Sequence, residues 1–351
     1  MMRKNTICTI LAAICLAVIA VLFFAPDDFE GRVLQQHDMM QGTANGQEGI
    51  AFKEATGETT RWTDSLFGGM PNFQIAPSYP ATDALGWIGK AFSLWLPDPA
   101  NLLFAMMFGF FILCLCMRMK WYNALFASVA WGFSSYFIII IGAGHIWKFV
   151  TLAYIPPTIG GIVLCYRGRY LAGTALTALF GALQLNSNHP QMTYYFLFVI
   201  LAMVIAWLIT AIRNRKTGEW GMATGCMIIA GIIAVAANLP SLYNTLEYSK
   251  ETVRGRATEL SSPGADSTGG MDRAAITAWS YGVDETLTFL IPNVKGGATI
   301  KPVGGENQLM SVTDTPKASQ LNVSPEEMQV MYQFPQYFGD QPMTNGPVYA
   351  G

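Results

Sequence analysis

Seven long apolar runs constrain the fold of this chain more than any other feature of its sequence. The hydrocarbon core of a bilayer requires about 20 mostly apolar residues from each helix that crosses it. Only 13% of the 351 residues are charged, whereas soluble domains carry about 25%. The sequence therefore predicts an all-α polytopic membrane protein with about seven transmembrane helices. The runs are Thr6–Ala25, Asn101–Met117, Tyr122–Ile141, Phe149–Tyr166, Tyr170–Leu185, Thr193–Ile212 and Met222–Leu239.

Basic residues on alternate connections predict the orientation of these helices. Among basic residues, the short connections on the opposite side of the membrane hold only Lys148. By the positive-inside rule the N-terminus is cytoplasmic, and the turns around His145 and His189 lie outside the cytoplasm. The basic residues that set this orientation are Arg3, Lys4, Arg118, Lys120, Arg167, Arg169, Arg213, Arg215 and Lys216.

Composition divides the chain into four parts. We expect a first transmembrane helix at 1–25, a long outer loop at 26–99, six further transmembrane helices at 100–240 and a mixed outer segment at 241–351. The first run is predicted to stay uncleaved, because Pro26 makes a poor signal-peptide cleavage site. The outer loop is too long for a connector and too aromatic for disorder. Within it, Gly42–Phe52 and Leu85–Leu96 are predicted to form short helices at the membrane surface.

Two features of the apolar runs bear on how the helices pack. Pro156-Pro157 predicts a kinked or broken helix in the fourth run, with its freed carbonyls satisfied by neighbouring helices. The adjacent Gly160-Gly161 lets helix backbones approach closely, which predicts a tight bundle.

Asp38 is the leading candidate for chemistry, because it lies outside the cytoplasm just after the first helix. A carboxylate within hydrogen-bond reach of a hydroxyl can act as a general base. A carboxylate beside the bilayer also suits a divalent cation that holds a phosphate. A solvated loop acid or a helix N-cap is the alternative interpretation, and the sequence leaves these open.

All three histidines, His37, His145 and His189, are predicted to lie outside, near the ends of apolar runs. Imidazoles in such places bind phosphate, ligate a metal or move protons, although a lone histidine is often structural. His145 and Lys148 follow a Gly-Ala-Gly turn whose backbone N–H groups could hold an anionic headgroup. The alternative is an interfacial turn whose Lys148 meets lipid phosphates.

Two further residues are candidates for substrate binding. Gln191 belongs to the tight polar connection that contains His189, where Pro190 alternatively does no more than end a helix. Arg254 follows the seventh apolar run and could reach a phosphate, or it belongs to a charged surface helix.

Four motifs together resemble the YfhO family of bacterial membrane proteins, and the resemblance runs over essentially the whole chain. Family members are usually longer, with further spans and an outer domain, so we expect this chain to be an N-terminal portion. The motifs are Gln36-His37-Asp38, Gly144-His145-Ile146-Trp147-Lys148, Asn188-His189-Pro190-Gln191-Met192-Thr193-Tyr194-Tyr195 and Gln336-Tyr337-Phe338-Gly339-Asp340-Gln341-Pro342.

The resemblance implies a GT-C-like bundle in the bacterial inner membrane, with a catalytic acid in the first periplasmic loop. The implied reaction transfers a sugar from a polyprenyl-phosphate donor to an envelope glycan or lipid acceptor. Asp38 falls where that acid is expected, and it would also ligate a divalent cation, Mg or Mn. GT-C enzymes often carry a pair of acids there, whereas Glu48 and Glu54 are the nearest acids downstream in this chain. The residues expected to bind substrate are His37, His145, Lys148, His189, Gln191 and Arg254.

The distribution of charged residues bears on whether the chain binds nucleic acid and on the alternative functions. The net charge of -2, with no basic run, gives no sign of a nucleic-acid partner. A non-catalytic transporter or flippase is one alternative function, although the spans hold almost no ionisable residues of the kind that couple ion transport. A scaffold for envelope glycan assembly is the other.

Overall fold

The computed structural model of the chain is mostly helical. It describes residues 2–34, 36–72, 82–252, 273–297, 324, 337–342, 344 and 348–349. The helices are α1 Met2–Phe29, α2 His37–Thr56, α3 Asp83–Phe92, α4 Ala100–Cys116, α5 Trp121–Gly132, α6 Ser135–Ala143, α7 Ile146–Tyr166, α8 Tyr170–Asn186, α9 Pro190–Arg213, α10 Thr217–Ala237, α11 Leu239–Ser249 and α12 Arg273–Thr277. A 3₁₀ helix covers Asp284–Phe289, and the short strands β1 Trp62–Thr63 and β2 Met70–Pro71 pair antiparallel.

Among the described residues, four helices are long and apolar enough to cross a membrane. They are Asn5–Asp27 within α1, α7, α9 and α10, and a fifth span results if α5 and α6 together form one broken crossing. This confirms an all-α membrane protein with four to five candidate spans. Helices also cover the remaining predicted runs, but α4 and α8 are shorter, at 17 residues each.

The chain divides into two units. The first contains Met1–Phe133 and Gly144–Thr252, and the second contains Ser134–Ala143 and Val253–Gly351. The helices α1 to α5 and α7 to α11 belong to the first unit, whereas α6, α12 and the 3₁₀ helix belong to the second.

Small residues set the packing of α7 in the first unit, as the sequence predicted. A Cβ added at Gly161 would lie 2.4 Å from Thr177 Oγ1, and one added at Gly173 of α8 would lie 2.6 Å from Cys165 N. The two backbones can approach this closely only because neither position carries a side chain. Helix α7 therefore packs tightly against α8 on one side, and it packs against α4 on another.

The prolines of α7 do not break the helix. This corrects the predicted break, which was one of the two outcomes expected at these prolines, a kink or a break. Helix α7 continues from Ile146 to Tyr166 through Pro156 and Pro157. Pro157 has no N–H to donate to the carbonyl of Ala153. Gly109 of α4 lies against that carbonyl, where an added Cβ would approach the oxygen to 2.3 Å. The neighbouring helix thus covers the freed acceptor, as predicted, and the break occurs instead in the third run, between α5 and α6.

The outer faces of α9 and α10 are apolar and exposed. Only Phe196 and Ala211 of α9 are buried, and Ile228, Ile229 and Ile232 of α10 are each more than half exposed. A soluble protein rarely leaves so large an apolar surface in water. These faces therefore suit contact with lipid chains.

The two helices predicted in the first loop are present with different bounds. Helix α3 packs Leu85 and Phe92 against the bundle, in a cluster with Tyr154 and Phe180, and leaves Trp87 exposed, as an interfacial helix would. Helix α2 begins at His37 rather than near residue 42, which places Asp38 in a helical first turn instead of a loop.

A buried carboxylate organises the described part of the second unit. Glu285 is fully buried and accepts hydrogen bonds from the Tyr337 hydroxyl and from the backbone N–H groups of Gly282 and Asp340, at 2.6 and 3.3 Å. Burial raises the pKa of Glu285, but these hydrogen bonds outweigh it and hold the pKa below its ordinary value. Gly296 forms a β-bridge to Tyr337, so the 3₁₀ helix and the Tyr337 segment are tied together.

Candidate functional site

The candidate site is built around a contact between Asp38 and His145. Asp38 lies in the first turn of α2, and His145 is the N-cap residue of α7. His145 Nδ1 lies 2.7 Å from Asp38 Oδ2, and the two side chains are 46% and 47% exposed. The two side chains are close enough to form an ion pair when His145 is protonated, and both groups remain open to a ligand.

Gly144 makes that contact possible. Its φ of +81° lies in the left-handed region that favours glycine. A Cβ added at Gly144 would lie 2.9 Å from Gln36 Cβ and 3.3 Å from Met39 N. The turn before α7 therefore rests directly on the start of α2, and a side chain at this position would push the two apart.

His189 is the N-cap residue of α9. Its Nδ1 accepts a hydrogen bond from Met192 N at 3.4 Å, so the neutral imidazole carries its hydrogen on Nε2. Burial lowers the pKa of His189 below its ordinary value of 6.5, and the nearby basic side chains of Lys148 and His145 lower it further. His189 is thus kept neutral close to two basic side chains.

The structure therefore brings together four of the residues singled out in the sequence. Asp38 and His145 are in contact, and His145 and Lys148 lie close enough to His189 to act on its pKa. Gln191 does not join them, because its side chain is exposed and donates to the Tyr195 hydroxyl at 3.0 Å along α9. The side chain of His37 and the whole of Arg254 lie outside the described residues.

The described residues do not by themselves supply a full ligand set for a divalent cation at this site. In the part of the chain that the structure describes, no three His, Cys, Asp or Glu side chains converge on one point. Asp38 is the one carboxylate of the cluster, and one of its oxygens is already in contact with His145. Mg²⁺ and Mn²⁺ are bound by several oxygen ligands, so no step of the chemistry is assigned to a metal here.

Glu48 is the nearest acidic residue after Asp38 in the sequence, and it has a structural role. Its Oε2 accepts from the Thr63 hydroxyl and from the backbone N–H groups of Asp64 and Ser65, at 2.8 and 3.0 Å. The hydrogen bond from Thr63 is the main reason that the pKa of Glu48 is lowered. Glu48 thus fixes the turn after β1 to α2.

Sequence reasoning missed the direct pairing of Asp38 with His145 and the part that Gly144 plays in it. The sequence predicted that the glycines of this turn leave backbone donors open for an anion, whereas Gly144 serves the close approach of two elements. The sequence offered one signal for this contact, a glycine directly before an N-cap residue. That signal does not indicate which other element approaches the glycine.

Comparison with known proteins adds no relative to this description. No protein-family model matches the chain, and none of the curated proteins or solved structures compared with it is significantly similar.

Proposed function

We propose that this protein is a membrane glycosyltransferase with a GT-C-like bundle of about seven transmembrane helices. It transfers a sugar from a polyprenyl-phosphate donor to an envelope glycan or lipid acceptor on the periplasmic side of the bacterial inner membrane. The contact between Asp38 and His145, beside Lys148 and the neutral His189, is the observation that carries the proposal.

The acid and imidazole pair supplies the base. Transfer requires removal of a proton from the acceptor hydroxyl as its oxygen attacks the anomeric carbon. Asp38 and His145 are half-exposed and in contact with each other, so an incoming hydroxyl can reach the pair. General base catalysis of this kind contributes roughly 10²- to 10⁴-fold to a rate.

The basic groups bind the phosphate that leaves. As the bond between the anomeric carbon and the phosphate oxygen breaks, negative charge develops on that oxygen. Lys148 offers a positive charge, and His189 offers the hydrogen on Nε2. Donors aimed at developing charge lower the barrier. Because its pKa is lowered, His189 acts near neutral pH as a hydrogen-bond donor more than as a cation.

The lipid part of the donor agrees with the apolar surface of the protein. His189 and Pro190 begin α9, whose remaining length exposes apolar side chains such as Leu197 and Leu201. A polyprenyl chain could lie along such a face in the bilayer while its phosphate stays beside His189.

The experiment compares cells that produce the wild-type protein, Asp38→Asn or no protein. We expect Asp38→Asn to remove one sugar from envelope glycans in mass spectra, as absence of the protein does, while immunoblots show a normal level in the membrane. Glu54→Gln is the matched control, because Glu54 is an exposed acid on the same helix and should leave the glycans unchanged.

Three other results would contradict the proposal. Full transfer by Asp38→Asn would exclude the acid and imidazole pair as the reacting centre. Accumulation of an unflipped lipid-linked glycan in cells without the protein would favour a flippase. Unchanged glycans in the absence of the protein would favour a scaffold.

A further inference from the structure

The contact between Asp38 and His145 indicates where the imidazole carries its proton. An ionised carboxylate has no hydrogen to donate and can only accept. The 2.7 Å contact therefore requires a hydrogen on His145 Nδ1, which leaves the lone pair of the neutral ring on Nε2. Within the described residues, no hydrogen bond to His145 Nε2 is present.

The position of Asp38 makes it better suited to orient a base than to act as one. One carboxylate oxygen is in contact with His145 Nδ1. The carboxylate also lies in the first turn of α2. In general, an imidazole is a stronger base than a carboxylate near neutral pH.

We infer that His145 Nε2, and not Asp38, takes the proton from the acceptor hydroxyl, and that Asp38 is a positioning residue that holds the imidazole in the reactive tautomer. This inference rests on the proposed glycosyl transfer. It revises which of the two side chains is the catalytic residue.

The step balances as a substitution at the anomeric carbon. The O–H bond of the acceptor breaks and its proton moves to His145 Nε2. The oxygen's electron pair forms the new bond to the anomeric carbon, and the bond from that carbon to the phosphate oxygen breaks with its electron pair staying on the polyprenyl phosphate. The imidazolium is then paired with the Asp38 carboxylate until it releases the proton to water or to the departing phosphate.

Three titratable groups lie near His145. Asp38 of α2 is in contact with it, and Lys148 follows it in the first turn of α7. His189 at the start of α9 remains neutral, because burial lowers its pKa.

The first test reads the tautomer directly and needs no substrate. The full-length chain, labelled with ¹⁵N-histidine in lipid nanodiscs, is measured by long-range ¹H–¹⁵N correlation, and the His145 signals are identified by their loss in His145→Gln. We expect a protonated Nδ1 in the wild type and a shift towards protonated Nε2 in Asp38→Ala. The inference is overturned if His145 carries its hydrogen on Nε2 in the wild type, or if Asp38→Ala leaves the tautomer unchanged.

The second test separates the two side chains by chemical rescue. In isolated membranes from cells labelled with radioactive glucose, label is chased from the polyprenyl-phosphate lipid fraction into envelope glycan. We expect His145→Ala to slow the chase by roughly 10²- to 10⁴-fold and added imidazole to restore part of it. Asp38→Ala should be slowed without rescue by imidazole.

The outcomes distinguish this inference from the proposed function. Transfer that is lost in Asp38→Ala but intact in His145→Ala overturns the inference and leaves the glycosyltransferase standing, with Asp38 as the base. No transfer of label by wild-type membranes overturns the proposed function and the inference together, whatever tautomer is observed.

Discussion

His145 Nδ1 lies 2.7 Å from Asp38 Oδ2, although the two residues are separated in the chain by most of the first loop, two further helices and the bent α5–α6 region. The contact connects the first turn of α2 to the N-cap of α7. Each residue alone is an ordinary surface group, and their combination is what gives the site a directed base. The predictions below test the geometry that produces the contact and the environment around it.

Gly144→Ala should separate the two residues. A non-glycine residue in the left-handed region costs about 1–2 kcal/mol, and the added Cβ would lie 2.9 Å from Gln36 Cβ. We expect lower thermal stability, loss of the Nδ1-protonated form of His145 by ¹⁵N correlation and slower sugar transfer. Gly142→Ala is the matched control, because a Cβ at Gly142 meets no atom within 4 Å. Equal behaviour of the two variants would contradict this account of Gly144.

His189→Asn should remove part of the pH dependence of stability. The folded protein lowers the pKa of His189 by burial, and the nearby basic side chains of Lys148 and His145 lower it further. The stabilisation from keeping the ring neutral is fully present above pH 6.5, the ordinary value, and is lost as the pH falls through the lowered folded value. Asparagine keeps a cap for α9 and does not titrate.

Thermal unfolding in detergent at a series of pH values checks this prediction. We expect the melting temperature of the wild type to fall on acidification below pH 6.5 and that of His189→Asn to fall less. A wild-type melting temperature that rises as the pH is lowered over this range would contradict the sign.

The sidedness of the site follows from the positive-inside rule and can be measured with single cysteines. In a variant whose six native cysteines are replaced, Asp38→Cys should react with a membrane-impermeant maleimide in cells whose periplasm is accessible. Lys120→Cys, in an exposed connection predicted to be cytoplasmic, should react only after the inner membrane is opened. Labelling of position 38 only after opening would place the site in the cytoplasm and end the periplasmic reaction scheme.

Glu285 and Tyr337 should be energetically coupled. Burial raises the pKa of Tyr337 to about 12, and the hydrogen bond to Glu285 also raises it. Tyr337→Phe leaves a buried carboxylate short of one donor, which costs about 1–3 kcal/mol. We expect Glu285→Gln and Tyr337→Phe to be non-additive in a double-mutant cycle of unfolding free energies. Additive effects would show that the contact contributes nothing of its own.

Several features of the fold were open to prediction from the sequence. The apolar runs predicted a membrane protein, which the four to five candidate spans support, and the aromatic residues of Leu85–Leu96 indicated the interfacial helix α3. The bounds of the helices were harder to predict, because the polar helix His37–Thr56 has no apolar stripe that marks its start. The Pro156-Pro157 pair predicted a kinked or broken helix, and the break does not occur.

The site was predicted as a set of residues but not as an arrangement. The sequence proposed Asp38, His145, Lys148 and His189 because these acidic and basic groups lie beside apolar runs on the side predicted to be outside the cytoplasm. It also proposed Gln191, whose side chain instead bonds along its own helix to Tyr195. A one-dimensional pattern places residues at an end of the bundle, but it does not give the direction of a side chain around a helix.

By itself, the sequence determined that the chain inserts in a membrane and which few ionisable groups are left near its surface, since the transfer of apolar residues from water depends on composition along a run. Only the tertiary structure decided that Asp38 meets His145 Nδ1, because that contact depends on the left-handed backbone of Gly144 and on how closely the turn before α7 rests on α2. Hydrogen bonds depend on distances of a few tenths of an ångström between groups far apart in the chain, and packing alone fixes those distances.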